Sequence, residues 1–140
     1  MPAQYFRDPL QYDDYLEHSN FLADINNERA LKNETYKENL KKLEKFVMYL
    51  FEDDKTVIPK ESGWFAEVNG TEVTGLRERE LYKGDWLGLR ELDERGALEF
   101  KMTEGGHMSL SEELLKGVFE SYFGVKGRKF EDARERREDL

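Results

Sequence analysis

Cysteine is absent from this chain. Its absence removes disulfide bonds, thiolate metal sites and a cysteine nucleophile together, while leaving the redox compartment open. An excess of cations is missing too: 22 Lys and Arg stand against 31 Asp and Glu, a formal net charge of −9. Phosphate backbones are held by clustered Lys and Arg, so this balance argues against nucleic acid as a partner. No apolar run approaches membrane-spanning length, and no transmembrane segment is expected. Residues 1–8 carry neither a basic stretch nor an apolar core, so no secretory signal is read there. Internal repeats are lacking, and neither a metal site nor a cofactor is expected. A chain of 140 residues has room for one domain with a modest core.

What is present is organised around residues 46–59, FVMYLFEDDKTVIP. Its first six residues are all apolar, with Val and aromatics prominent, and a run so short reads as a strand buried on both faces. It stops abruptly at Glu52-Asp53-Asp54. A buried parallel strand that ends in a carboxylate loop is where α/β proteins place chemistry, because side chains leave the core together at the sheet's carboxyl edge. A second strand is expected over residues 98–102, where Leu98, Phe100 and Met102 alternate with Glu99 and Lys101. Thr103-Glu104-Gly105-Gly106-His107 follows it. The two strands are expected to be parallel neighbours, joined through an amphipathic helix over residues 84–93.

The remaining segments read more plainly. Tyr5, Phe6, Leu10, Tyr12, Tyr15 and Leu16 stud an irregular, acidic N-terminal stretch; they either cover a core edge or wall an apolar pocket, and packing is the commoner fate of scattered rings. Phe21 and Leu22 open an apolar step that ends in turn chemistry at Asn26-Asn27. Residues 36–45 form a helix with Tyr36, Leu40 and Leu43 on one stripe, and Asn33 suits its N-cap. Asn33 and Asn69 each begin a glycosylation sequon, Asn33-Glu34-Thr35 and Asn69-Gly70-Thr71, and both are expected at exposed positions. Asn69-Gly70 also marks a tight hairpin between residues 64–68 and 72–74. Residues 76–82 read as a charged connector. Ser109 or Ser111 starts a last helix whose buried side carries Leu114, Leu115, Val118, Phe119 and Tyr122. Residues 125–140 form a charge-dominated tail with one large ring, Phe130.

An Asp after one strand and a His after a later one match the acid and base of a hydrolase triad in the chain order nucleophile, Asp, His. The chemistry requires the pairing, since the carboxylate holds the imidazole in one tautomer while the other ring nitrogen takes the nucleophile's proton. Gly105-Gly106 lets the backbone turn sharply ahead of His107. Two blander readings stand beside this one: Asp54 solvates a loop next to Asp53, or His107 caps the following helix. The nucleophile itself has no candidate. It belongs on a G-x-S-x-G elbow between strand and helix, and none of Ser19, Ser62, Ser109 or Ser111 is so placed. His18 has no comparable setting and reads as a surface residue.

FLADINNER (residues 21–29), NETYKENL (33–40), KFVMYLFEDDKTVIP (45–59), SGWF (62–65), LYKGDWLGLRELDERG (81–96) and TEGGHMSLSEE (103–113) together resemble the C-terminal part of the lysosomal palmitoyl-protein thioesterase family, type 1. The likeness runs from about residue 5 to residue 124. It implies the C-terminal part of an α/β-hydrolase, a parallel sheet flanked by helices, and hydrolysis of palmitoyl thioesters on protein cysteines. It implies Asp54 as catalytic acid and His107 as catalytic base, with the nucleophile carried by an N-terminal hydrolase half. By the same resemblance residues 1–45 belong to a helical insertion lining the acyl groove, with Tyr5, Phe21 and Leu22 as substrate contacts. Residues 46–124 then form the hydrolase portion with acid and base, and the compartment is the lysosome or secretory pathway. Two positions depart from the pattern: Gly106 stands where the family has an acidic residue, and Ile58 where it has Asp before Pro.

Two functions of different class follow. One is part of a thioesterase, inactive until a nucleophile-bearing segment joins it and then acting on S-palmitoylated proteins. The other is a non-catalytic relic that binds fatty acyl chains or a protein partner. Retention of both Asp54 and His107 favours the first.

Overall fold

A computed structural model describes residues 6–124. Tyr5 and the charged tail of residues 125–140 lie outside the described residues. Three short helices come first: α1 (Tyr12–His18), α2 (Leu22–Ile25) and α3 (Glu34–Leu40). The apolar step expected at Phe21 and Leu22 is therefore helical, and α3 starts and stops earlier than the stripe suggested. Asn33 caps α3 as expected, its side-chain oxygen accepting from the Thr35 amide at 3.0 Å. That bond satisfies one of the donors a helix start leaves orphaned.

Strand β1 (Phe46–Phe51) follows, then a 3₁₀ turn (Lys60–Trp64) and the hairpin β2 (Glu67–Asn69) and β3 (Glu72–Thr74). The hairpin pairs Asn69 with Glu72, so its two-residue loop is Gly70-Thr71 rather than Asn69-Gly70. Gly70 takes φ +62° at the first loop position, where a glycine matches the twist of the flanking strands. A second 3₁₀ turn (Leu76–Glu78), α4 (Glu80–Lys83) and α5 (Leu89–Glu94) lead to β4 (Leu98–Thr103). The chain ends its described part in α6 (Glu112–Val118) and a wider π turn (Phe119–Phe123).

β1 and β4 are parallel neighbours in a register running from Phe46 opposite Leu98 to Phe51 opposite Thr103. A parallel pair needs a crossover long enough to carry helices back along the sheet, and the hairpin with α4 and α5 provides it. The α/β arrangement expected from the sequence is the one observed. The core lies on one face of the pair. Met48 and Leu98 meet Leu76, Leu81, Leu87, Leu89, Leu92 and Ala97 there, with Trp64, Phe65, Trp86 and Phe100 packed around them. The Trp64 indole donates to the Met48 carbonyl at 3.1 Å and its ring meets Phe100 edge-on at 6.0 Å.

Three expectations change. Residues 76–82 are no mere connector, since Leu76 and Leu81 are core residues. The helix expected at residues 84–93 begins only at Leu89. Its N-cap, Gly88, has no side chain to cap with, and the buried Asp85 carboxylate accepts from the Arg90 amide at 3.0 Å instead. The other Asp85 oxygen pairs with Lys37 at 3.2 Å, which fastens α3 to α5. Finally, β1 is buried on both faces only in part: Met48, Leu50 and Phe51 are buried while Phe46, Val47 and Tyr49 are partly exposed, and no residue of α6 is fully buried.

Leu89 and Leu92 have no solvent exposure. Leu92→Ala removes methyl groups from the contact between α5 and the sheet, and is expected to destabilise the chain by about 3 kcal/mol. Urea denaturation checks it; a loss below about 1 kcal/mol would mean that the site collapses around the alanine.

Candidate active site

The parallel register sets the two loops at the strands' carboxyl ends side by side, and backbone hydrogen bonds continue past the ladder. The Glu52 amide donates to Thr103 O at 2.9 Å, the Asp53 amide to Gly105 O at 3.0 Å, and the Asp54 amide back to Phe51 O at 3.2 Å. The loop after β1 is thus laced to the loop after β4 before any side chain is considered. Lys60 adds a clasp, its ammonium donating to the Glu52 carbonyl. Nothing in the run Pro59-Lys60-Glu61 marks that lysine in the sequence.

Asp54 divides its two oxygens. Oδ1 accepts from the amides of Thr56 at 2.9 Å and Val57 at 3.0 Å, a local turn that fixes the carboxylate plane. Oδ2 lies 2.9 Å from Nδ1 of His107. The Asp54 side chain is 6% exposed and that of His107 39%. This is not a carboxylate that merely solvates a loop. Nor does His107 cap the next helix, because Ser111 does so, its Oγ accepting from the Leu114 amide at 3.1 Å.

The hydrogen bond from His107 holds the Asp54 carboxyl down at about 2, with smaller help from the Val57 and Thr56 amides and against the opposing effect of desolvation. At neutral and mildly acid pH Asp54 is therefore an ionised acceptor, which puts the ring proton on Nδ1. Nε2 of a neutral ring is then left as a base, and no described residue bonds to it. The depressed value also fixes a pH dependence. The folded state holds the Asp54 proton less tightly than the ordinary value of 3.8, so its stabilisation is complete above about pH 4 and fades as pH falls toward 2. Asp54→Asn is expected to flatten acid unfolding across that window; a wild-type slope retained in the variant would contradict the linkage.

The His107 loop depends on one glycine. Gly105 has φ +96°, and a Cβ built there would lie 2.8 Å from Ser109 Oγ and 2.9 Å from Ser109 Cβ. Gly106 has ordinary φ, and its nearest neighbour in that test, the Asp53 carbonyl, is 3.9 Å away. Of the two glycines expected to turn the loop, only Gly105 is required to. Gly105→Ala is expected to cost at least about 1 kcal/mol, whereas Gly106→Ala should stay within about 0.5 kcal/mol. Equal effects in urea denaturation would overturn this distinction.

The other residues singled out in the sequence are scattered. Leu22 lines a cavity of about 480 Å³ with Phe6, Leu10, Ile58 and Phe65, and Ile58 connects that cavity to the Asp54 loop. Phe21 is 41% exposed and does not line it. Tyr5 falls outside the described residues. Asn33 and Asn69 are both exposed. His18 is at the surface, its Nδ1 3.0 Å from the Asp14 carbonyl. Among the described residues no group of three or more His, Asp or Glu stands close enough to hold a metal ion, and no helix is long and apolar enough to cross a membrane.

Comparison with known proteins adds a second kind of observation. Residues 1–107 match the family described as Palmitoyl protein thioesterase. Palmitoyl-protein thioesterase 3 of Dictyostelium discoideum is 55% identical over 108 residues, covering 75% of this chain and 37% of the relative. Palmitoyl-protein thioesterase 1 of Caenorhabditis elegans is 38% identical over 125 residues, covering 86% of this chain and 42% of the relative. Lysosomal thioesterase PPT2-B of Xenopus laevis is 38% identical over 103 residues, covering 72% and 36%. The chain thus spans about two-fifths of the length of these relatives.

Proposed function

The chain belongs to the palmitoyl protein thioesterase family, and from that premise we propose that it supplies the acid and base of a serine thioesterase acting on palmitoyl groups attached to protein cysteines. Its parallel sheet flanked by helices is the C-terminal part of an α/β-hydrolase. The observation that carries the reading is the 2.9 Å contact between Asp54 Oδ2 and His107 Nδ1 at the carboxyl ends of paired parallel strands. The nucleophilic serine is assigned to a segment outside these 140 residues.

The proposed roles follow from the geometry. Nε2 of His107 takes the serine proton as Oγ adds to the thioester carbonyl, and Asp54 stabilises the imidazolium that forms. Collapse of the tetrahedral intermediate breaks the carbon–sulfur bond, and the cysteine sulfur departs with the proton held on Nε2. Thiols ionise near pH 8.5, so this departure demands less of the acid than an amine would. Water then attacks the acyl-serine, giving its proton to the same nitrogen; collapse breaks the bond between the acyl carbon and Oγ, Oγ takes that proton back, and palmitate leaves. The pocket at Leu22, Ile58 and Phe65 is the proposed acyl wall, with residues 1–45 as its supporting insertion and Tyr5 and Phe21 as further substrate contacts. An acidic, lysosomal setting suits this chemistry on the acid side, because Asp54 stays ionised there. Related proteins named lysosomal thioesterases support that placement. The exposed sequons at Asn33 and Asn69 are compatible with it.

The competing idea, a non-catalytic acyl-binding relic, offers no reason for a nearly buried carboxylate to hold a half-exposed imidazole by one nitrogen. The test is release of palmitate from an S-palmitoylated peptide by the chain alone and by the chain co-expressed with a nucleophile-bearing thioesterase segment. No turnover alone and turnover together are expected. Turnover by the isolated chain, or palmitate binding alone with none together, would overturn the proposal.

A further inference from the structure

The chain leaves β1 at Glu52 and is brought back to the same residue by Lys60, eight positions later. Between them runs the loop that carries Asp54. Its first residues are held from outside, the Glu52 amide on Thr103 O and the Asp53 amide on Gly105 O. Past Asp54 that support stops. The Thr56 and Val57 amides donate to Asp54 Oδ1 at 2.9 and 3.0 Å, so they brace the carboxylate against its own loop and against nothing else. Among the described residues no backbone hydrogen bond ties residues 55–58 to the rest of the chain. Ile58, within that stretch, is 73% exposed.

The return of the loop is therefore fixed by side chains. It runs into the 3₁₀ turn Lys60–Trp64, which two donors pin to β1: the Trp64 indole on the Met48 carbonyl at 3.1 Å, and the Lys60 ammonium on the Glu52 carbonyl. Trp64 secures the far end of the turn, and Lys60 closes the loop on its own start. The acceptor is one that the ladder leaves over. A continued parallel register would give the Glu52 carbonyl the Gly105 amide, but the pairing changes there to the Asp53 amide on Gly105 O. Lysine suits the vacancy, with three donors on a long stem. It is also half-buried, whereas Lys55 of the same loop is exposed.

We propose that Lys60 is a positioning residue for thioester hydrolysis: by closing the acid loop on Glu52 it keeps the Asp54 carboxylate in line with Nδ1 of His107, and so keeps Nε2 free as the base. This rests on the reading of Asp54 and His107 as acid and base. Lys60 works through where the loop lies and not through its charge. The groups that hold the Asp54 carboxyl low are the His107 ring and the Val57 and Thr56 amides, and Lys60 is not among them. Misplacing a catalytic group by about 1 Å costs up to about 100-fold in rate, so a clasp outside the reacting pair is enough to matter.

The experiment compares Lys60→Met, which keeps the stem and removes the donor, with Lys60→Arg, which keeps a cationic donor. In the 140-residue chain alone, the ring ¹⁵N resonances of His107 are read at a pH where the imidazole is neutral, since they report which nitrogen holds the proton. Lys60→Met is expected to shift the ring from the Nδ1–H form toward a mixture of tautomers, and Lys60→Arg to stay at the wild-type position. Amide exchange at Met48 and Leu50 should not change, which separates a loosened loop from a loosened sheet. In the assembled enzyme, palmitate release from an S-palmitoylated peptide should lose about 10-fold in kcat with KM unchanged for Lys60→Met, and recover in Lys60→Arg. Any of four results would overturn the proposal: an unchanged tautomer in Lys60→Met; no recovery in Lys60→Arg; a raised KM with kcat intact; or faster exchange throughout β1. The catalytic reading fails separately, by absence of turnover in the assembled wild type, and the tautomer signal then still decides whether Lys60 orders the Asp54–His107 pair.

Discussion

Replacing His107 with alanine in the assembled thioesterase is expected to cut turnover about 10⁶-fold, and Asp54→Asn about 10⁴-fold. The first corresponds to about 8 kcal/mol of lost transition-state stabilisation. The two values differ for a physical reason. Without the imidazole nothing accepts the serine proton, whereas without the carboxylate the ring remains but prefers the wrong tautomer. The side-chain amide introduced by Asp54→Asn donates to Nδ1, which moves the ring proton to Nε2 and removes the base. The backbone scaffold around the site survives either change. The bonds from the Glu52 and Asp53 amides to the β4 loop involve no side chain, so circular dichroism and chromatographic behaviour should be unaltered. The readout is palmitate release together with labelling of the serine by a fluorophosphonate, both of which should fall in step. Full labelling with no palmitate release would place the defect in deacylation alone. Unchanged turnover in His107→Ala would remove His107 from the mechanism.

How far the sequence reached depended on which feature set each position. β1 was legible because six consecutive apolar residues cannot sit in a surface loop, and β4 because its alternation is clean. Asp54 and His107 were legible as residues that follow strands, and the parallel pairing brings them together across a separation of 53 positions. What escaped was burial decided by partners distant in sequence. Leu76 and Leu81 sit among Arg and Glu, so no local apolar stripe announces them, yet they face Met48 and Leu98 in the core. Asp85 fell inside the expected helix, and its capping role was hidden because the bond runs to Arg90, which that boundary had placed mid-helix. The strand expected to be buried on both faces is fully buried only at Met48, Leu50 and Phe51, while Phe46, Val47 and Tyr49 keep part of their surface exposed.

The most destabilising single change outside the active site is expected at Glu28, which no sequence pattern marked. Its side chain has no solvent exposure, and it accepts from Arg7 Nε at 2.8 Å, Tyr15 Oη at 2.9 Å and Asn26 Nδ2 at 3.2 Å. Arg7 also reaches Glu67 of β2, and its guanidinium lies 4.8 Å over the Tyr12 ring. Glu67 in turn lies 3.7 Å from Arg79, which donates to the Phe65 carbonyl at 2.6 Å. One buried carboxylate therefore joins the N-terminal helices to the hairpin through a chain of charges. Glu28→Ala strands the Tyr15 hydroxyl, the Asn26 amide and part of the Arg7 charge at once, and breaking a buried pair from one side costs about 3–5 kcal/mol. Glu28→Gln can keep the oxygen that accepts from Tyr15 and Asn26 but turns an NH2 donor toward Arg7, so it should cost less than Glu28→Ala while still losing the charged bond. An Arg7/Glu28 double-mutant cycle in urea should give a coupling of at least about 1.5 kcal/mol, the part of the loss that belongs to the pair. Additive single losses would mean instead that Glu28 acts through Tyr15 and Asn26, with Arg7 held in place by Glu67 alone.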